Sequence, residues 1–320
     1  MSGFRTIVTG GAGFIGSHLV DALIERGDEV LVLDDLSTGS EANLNPKAEF
    51  RKLDLRDREG VFRAFRAFSP ELVFHQAAQA SVSVSVREPA YDAEVNLMGG
   101  LYVLEAAREV GVRHFVFAST GGAIYGEVPE GERASEDWPP RPKSPYAASK
   151  AGFEYYLEVF KAEFGLPYTS LRYGNVYGPR QNPHGEAGVV AIFATRILRG
   201  EPVVVFAGET LGDAGGIRDY IHVADVVSAN LLAADRGLVG VYNVGTGEGH
   251  TTEEVLWAIA GALDAEPEVK YAERRPGDLY RSVLDPGKLA KEGWRVTRPF
   301  DKGIAETALA FREAFLAGRL

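Results

Sequence analysis

Along the first half of the chain, short apolar runs alternate with longer amphipathic stretches. Runs at Thr6–Val8, Glu29–Leu33, Glu49–Leu53, Leu72–His75, His114–Ala118 and Tyr168–Leu171 predict strands. Between them, Phe14–Arg26, Arg58–Phe68, Tyr91–Val110 and Pro145–Phe164 carry the helical period. This alternation predicts a doubly wound parallel α/β sheet, with right-handed crossovers and all strand C-termini on one edge. Ligands bind at that edge, where the strand order reverses.

After Asn175 the pattern loosens. Gly178-Pro179-Arg180 and Pro183-His184-Gly185 predict irregular backbone, followed by a helix near Ala187–Leu198. The apolar run Val203–Phe206 leads into the glycine-rich Gly208–Gly216. Ile217–Val223 and Val241–Val244 predict further strands, and Thr252–Leu263 and Ile304–Phe315 predict helices. The expected division is a dinucleotide-binding domain over 1–175 and a smaller C-terminal α/β substrate domain over 176–320. Segments near 217–246 are candidates to return to the first domain.

Composition narrows the function classes. A length of 320 residues suits about two domains. A net charge of −11 argues against nucleic-acid binding by bulk electrostatics, but leaves room for an anionic small substrate where arginines gather. With no cysteine, disulfides, thiol nucleophiles and cysteine-ligated metals are excluded, and no metal site is expected. The chain enters an apolar strand directly at Phe4–Thr9, and no uncharged apolar run approaches the ~20 residues of a membrane span. The expectation is a soluble, cytoplasmic protein that does not contact a membrane.

Two stretches bring in chemistry. Gly10, Gly13 and Gly16 follow a predicted strand, and Phe14 and Ile15 open a predicted helix. A dinucleotide needs such a tight turn, backbone N–H groups close to its pyrophosphate, and a helix N-terminus facing the charge. The second strand ends at Asp34-Asp35, before Leu36 and Ser37. A carboxylate there accepts from ribose hydroxyls and repels a 2′-phosphate, which favours NAD over NADP. Asp54-Leu55 is expected near the adenine. His75-Gln76-Ala77-Ala78-Gln79 ends the fourth strand with small residues that let the chain pass a flat cofactor. His75 itself reads as a satisfied strand-end histidine.

The second stretch is Tyr146-Ala147-Ala148-Ser149-Lys150. Tyr146 and Lys150, four apart, share one helix face behind Pro145. A phenol of pKa ~10 is no base at neutral pH, but a nearby ammonium and a positive nicotinamide should lower it. The tuned phenolate can then take a hydroxyl proton while the cofactor takes hydride. Ser119 and Thr120 end the fifth strand at the same edge, either bridging the substrate oxygen to the tyrosine or serving as ordinary turn residues.

The motifs TGGAGFIGSHLV, LDDLSTG, VNLMGG, YAASK, LRYGNVYGPRQ, IRDYIHVADV and NVGTGEG, in this order, resemble the extended short-chain dehydrogenase/reductase family. Within it they resemble the UDP-glucose 4-epimerases. The resemblance covers essentially the whole chain and implies a Rossmann fold, bound NAD and a UDP-sugar substrate oxidised transiently at C4. It places Asn96 and Tyr173 with the cofactor residues. It implies that Asn175 bonds the diphosphate sugar, that Val189 and Phe206 line the uridine pocket, and that Arg218, Arg275 and Asp278 clamp diphosphate and ribose. Arginine suits that task through its planar fork. Two departures stand out: Gly121 occupies a position that is Ser or Thr in many members, with Thr120 a candidate substitute. Ser282 replaces a frequent Tyr and implies a roomier sugar pocket. Dehydratase relatives carry an Asp-Glu pair where this chain has Gly122-Ala123, so elimination lacks its acid and base. Rival readings are a 4-epimerase of UDP-N-acetylglucosamine or UDP-glucuronate, and a non-catalytic NAD-sensing module. Family habit implies a homodimer through Tyr91–Val110 and Pro145–Phe164.

Overall fold

The computed structural model describes residues 3–183, 188–275 and 277–320. His184 and Gly185 of the expected irregular stretch, Ala187 at the expected helix start, and Pro276 lie outside the described residues. The six β-branched runs form strands β1 (Arg5–Thr9), β2 (Glu29–Asp34), β3 (Glu49–Lys52), β4 (Leu72–His75), β5 (His114–Thr120) and β6 (Tyr168–Tyr173). With Gly240–Val244 they build one seven-stranded sheet, ordered Gly240–Val244, β6, β5, β4, β1, β2, β3. The pairs β1–β2, β2–β3, β1–β4 and β4–β5 run parallel. From β1 the chain winds outward to β3, then resumes on the other side of β1 with β4. The direction of winding therefore reverses between β1 and β4, the switch point at which doubly wound sheets bind ligands.

The chain forms two compact units. The first contains Met1–Thr120, Ser144–Arg172 and Val227–Tyr242. The second contains Gly121–Lys143, Tyr173–Val226 and Asn243–Leu320. Thus 121–143 leaves the first unit long before residue 175, and of the segment near 217–246 only Val227–Tyr242 belongs to it.

Buried apolar side chains hold the first unit. Ile7, Leu31, Leu33 and Val73 of the sheet pack with Phe65, Val103, Leu104 and Phe153 of the helices, each contributing about 1.5–3 kcal/mol by leaving water. Polar groups are buried with them: Glu154, on the helix Pro145–Phe164, pairs with Arg172 at 2.6 Å and accepts from Ser170 at 2.8 Å. Breaking a buried pair leaves a charge without compensation, so Glu154→Ala should lower unfolding free energy by about 3–5 kcal/mol in urea titration.

Two predicted elements differ. Tyr91–Val110 is not one uniform helix: Pro89–Ala93 runs into a π-helical turn at Glu94–Gly99 and then Gly100–Val110. The widened turn lets the Asn96 side chain leave the helix and bond the Gln79 backbone through both its oxygen (2.9 Å) and its nitrogen (3.0 Å). The expected strand Ile217–Val223 breaks into Ile217–Arg218 and Tyr220–His222, after which Val223–Arg236 is an unforeseen helix. Its apolar stripe Val226, Val227, Ala229 and Ala233 is buried, but β-branched residues at its start read as strand.

The second unit has smaller sheets. Asn175–Tyr177 pairs parallel with Tyr220–His222, and Val203–Phe206 with Val269–Ala272. Thr252–Leu263 begins with a reciprocal cap between Thr251 and Glu254 and packs with Val189–Leu198 and Phe300–Leu316 around Val205, Leu256 and Ile304. Among the described residues no helix is long and apolar enough to cross a membrane.

Candidate active site

The first unit brings its glycine turn and the end of β4 together. Thr9 and His75 are register partners, and Gln76 donates its N–H to the Thr9 carbonyl. Gly10 sits at φ 71°, where its Cβ would lie 2.6 Å from the Ala77 nitrogen. A Cβ on Gly16 would lie 2.1 Å from the Gly10 carbonyl oxygen, whereas Gly13 is less crowded, at 3.2 Å. The helix Phe14–Arg26 starts at Gly13 with no side-chain cap and no acidic residue in its first turn, among the described residues. Phe14 and Ile15 are half-buried there. A turn this close-packed, ending in an uncapped helix N-terminus, fits a pyrophosphate.

Asp34 closes the same turn from β2. Its carboxylate accepts from the backbone of Ala12 at 3.0 Å and Leu36 at 2.8 Å. Burial pushes its pKa up against these two bonds. Leu36 adopts φ 62°, and Asp35 takes the Ser37 N–H at 2.8 Å. Asp54 is half-buried and held by Arg56 at 2.6 Å, which lowers its pKa, while Leu55 is buried. Gln76 bonds Asn230 at 3.1 Å. Ala77 donates to the Thr9 hydroxyl, and Ala78 is half-buried beside it.

His75 meets its sequence reading. Its Nδ1 lies 2.7 Å from the Thr9 hydroxyl, and its ring stacks on Phe117. Burial, with Lys150 adding, holds its pKa down to about 3, so it is neutral.

The helix Pro145–Phe164 carries Tyr146 and Lys150, its first turn capped by the Ser144 side chain. Lys150 is buried; its Nζ donates to the Ala118 carbonyl at 2.9 Å and lies 4.7 Å from the Phe117 ring centre. Burial brings its pKa down to about 8, against the pull of Asp92 and then Glu154. The Thr120 side chain is the neighbour that draws the Tyr146 phenol toward lower pKa. Here the expected direction is overturned: the phenol is pushed up to about 12 by burial, offset by Thr120 and reinforced by Asp92. The loss of hydration outweighs the neighbouring Thr120 side chain. Of the two hydroxyl candidates, Thr120 acts on the phenol, while the buried Ser119 Oγ has no hydrogen-bond partner.

In the second unit, Tyr173 is buried at the end of β6. Asn175 bonds the Asp219 carbonyl through its N–H, and its side chain lies 2.9 Å from where a Gly122 Cβ would stand. Val189 opens its helix. Phe206 is half-buried at a strand end, with the Arg275 guanidinium 4.8 Å above its ring. Asp278 pairs with Arg275 at 2.9 Å. Beside them, Asp213 accepts from the N–H groups of Gly208, Glu209, Thr210 and Gly215. Against the upward pull of burial, these bonds bring it down to about 2. Arg218 donates to the carbonyls of Ile217, Leu279 and Tyr280. Ser282 is buried with Oγ unpartnered, in a strand parallel to Ile217–Arg218.

Residues 6–245 match the NAD dependent epimerase/dehydratase family. The chain belongs to that family. Among solved structures similar to this epimerase/dehydratase, a Thermus thermophilus UDP-glucose 4-epimerase complex with NAD shares 63% identity and a TM-score of 0.94, covering 97% of this chain and 99% of that one. The Thermotoga maritima UDP-glucose 4-epimerase with UDP-glucose shares 48%, with a TM-score of 0.93 over 97% and 99%. A UDP-glucose 4-epimerase of Mycolicibacterium smegmatis is 45% identical over 96% of this chain and 98% of its own.

The first unit of this epimerase/dehydratase also contains a buried group that motif reading passed over. Asp92, one turn before Asn96, accepts from Ser149, which lies inside the YAASK motif. The signal was there: a carboxylate and a carboxamide four apart on a helix face that also carries Leu55-facing Gly99.

Proposed function

We propose that the protein is an NAD-dependent UDP-glucose 4-epimerase, interconverting UDP-glucose and UDP-galactose by transient oxidation at sugar C4. The observation that carries it is the helix Pro145–Phe164, which sets Lys150, its Nζ bonded to the Ala118 carbonyl near the end of β5, one turn after Tyr146 in the unit that bears the glycine turn. When bound, NAD accepts the hydride from C4 and returns it. Tyr146 takes the C4 hydroxyl proton and gives it back, with Thr120 as the hydroxyl that Gly121 does not supply. Lys150 supplies positive charge toward that site. Gly10, Gly13 and Gly16 admit the pyrophosphate, and Asp34 receives the ribose hydroxyls. Gly122-Ala123 offers no carboxyl for elimination, so oxidation and re-reduction remain. The test is incubation with UDP-glucose or UDP-galactose without added NAD, followed by product analysis; recovery of unchanged sugar alone refutes the proposal.

The second unit holds the uridine diphosphate in this reading. Phe206 takes the uracil face, and Arg275 and Asp278 hold diphosphate and ribose. Arg218, bonded to three carbonyls, shapes the 279–280 backbone around them. A nucleotide gripped away from C4 leaves the ring free to turn over between hydride departures. Arg275→Ala should raise KM for UDP-sugars about 10–100-fold with little change in kcat, since that grip is equal in ground and transition states.

We also place the protein in the cytoplasm as a homodimer. Exposed Met98 (44%), Tyr155 (66%), Tyr156 (45%), Val159 (50%) and Phe164 (49%) support this, as they leave apolar surface on the two helical segments. Sedimentation at micromolar concentration should give twice the chain mass; a monomer refutes the dimer.

A further inference from the structure

Three donors from three elements converge on one buried carboxylate. Asp92 is fully buried. Its Oδ2 accepts from Ser149 Oγ at 2.5 Å; its Oδ1 accepts from Asn96 Nδ2 at 3.0 Å and Gln79 Nε2 at 2.9 Å. Ser149 stands between Tyr146 and Lys150 on their helix. Asn96 belongs to the π-helical turn, and Gln79 to the loop that leaves β4 beside Gly10. Asn96 closes a second ring by bonding Gln79 N and O.

Hydrogen bonds from neutral donors satisfy such a carboxylate without cancelling its charge, and a charge kept out of water is felt by its neighbours. We propose that Asp92 is a positioning residue for the epimerase reaction, tying the Tyr146–Lys150 helix to the coenzyme loop and holding Lys150 as its ammonium. This rests on the reading of Tyr146 and Lys150 as the proton-transfer pair.

The surroundings fix the sign. Asp92 faces Lys150 from the segment Pro89–Ala93, Glu154 from the lysine's own helix, and neutral His75 from the end of β4. Asp92 is the larger of the two groups that oppose the downward effect of burial on Lys150, and it also raises the Tyr146 phenol. Removing its charge therefore lowers both. A lesion that merely loosens packing relieves burial, which lowers the phenol too but raises Lys150, so the lysine titration is the one that tells the two apart.

The test is a lysine side-chain NMR titration of the protein as purified, with the Lys150 resonance identified by its loss in Lys150→Met. Asp92→Asn keeps the shape and one acceptor but not the charge. Its Lys150 midpoint should fall about one pH unit below that of wild type, while Asp92→Glu should restore most of the difference. The acid limb of kcat against pH should also move down in Asp92→Asn, because the phenol becomes more acidic. Ser149→Ala removes one strut without touching the charge: NAD retained through gel filtration should drop severalfold with the Lys150 midpoint unmoved. Should Asp92→Asn not fold, as thermal unfolding reveals, Ser149→Ala carries the test, and full NAD retention in it overturns the proposal. An active wild type with an unshifted midpoint in folded Asp92→Asn overturns this inference alone. A wild type inactive on both UDP-sugars overturns the parent reading and this one with it.

Discussion

Tyr146→Phe should lower kcat by about 10²–10⁴-fold while the protein stays folded and keeps its NAD. The change deletes one oxygen from a buried ring and leaves its apolar packing in place, so the cost to folding is small, on the order of 1 kcal/mol. The catalytic loss is larger, about 3–5 kcal/mol of barrier at 1.36 kcal/mol per decade. In the chain alone burial pushes the phenol up to about 12, so it holds its proton at pH 7. Coenzyme charge must therefore be part of the activation, which makes the empty and loaded proteins differ in tyrosine titration. Initial rates of UDP-galactose conversion, with bound NAD assayed in parallel, check the prediction. Wild-type rates in Tyr146→Phe would remove the phenol from the chemistry, whereas no conversion by the wild type itself would leave the NAD-sensing reading in its place.

Much of this site was legible because its parts obey local rules. A strand followed by close-spaced glycines and a helix has few uses, and Tyr146 with Lys150 falls on one face by helical period alone. The core of the sheet follows from the same alternation, as apolar runs buried on both faces, such as β2, β4 and β5, belong to parallel sheets, while β3 at the edge is half-exposed. What escaped was set by distant partners. The π-helical turn at Glu94–Gly99 forms because Asn96 finds the Gln79 backbone, 17 positions away in sequence. The phenol moved up rather than down because burial, which no four-residue spacing reports, is the largest influence on it. Arg218 read as a phosphate clamp from its motif, yet its donors meet the carbonyls of Leu279 and Tyr280, more than 60 positions on. Helix Val223–Arg236 hid behind a β-branched start, and its buried stripe of Val226, Val227, Ala229 and Ala233 is a matter of tertiary packing that propensity does not report.

Gly16→Val should strip the protein of NAD and lower its thermal stability together. The reason is the rigidity of what the new side chain would strike. A Cβ at Gly16 stands 2.1 Å from the Gly10 oxygen, 2.8 Å from its carbon and 2.9 Å from the Gly11 Cα, all backbone. Gly10 cannot retreat, because its N–H is bonded to Leu33 O at 2.8 Å and its oxygen receives the Gly13 N–H at 3.1 Å. Behind it the Ala77 nitrogen already lies 2.6 Å from the place of a Gly10 Cβ. Relief must come from opening the turn, at a cost at or above the usual ~1–3 kcal/mol of overpacking. The opened turn withdraws the N–H groups that meet the pyrophosphate, and ~3 kcal/mol lost there is roughly a hundredfold in Kd. Gly27→Ala separates the two effects: Gly27 has φ 98° and no heavy atom within 4 Å of its Cβ position. It should lose about 1 kcal/mol of stability and no NAD. Coenzyme measured after gel filtration, beside the unfolding midpoint of each variant, decides the matter. Full NAD in Gly16→Val would mean that the turn does not hold the pyrophosphate.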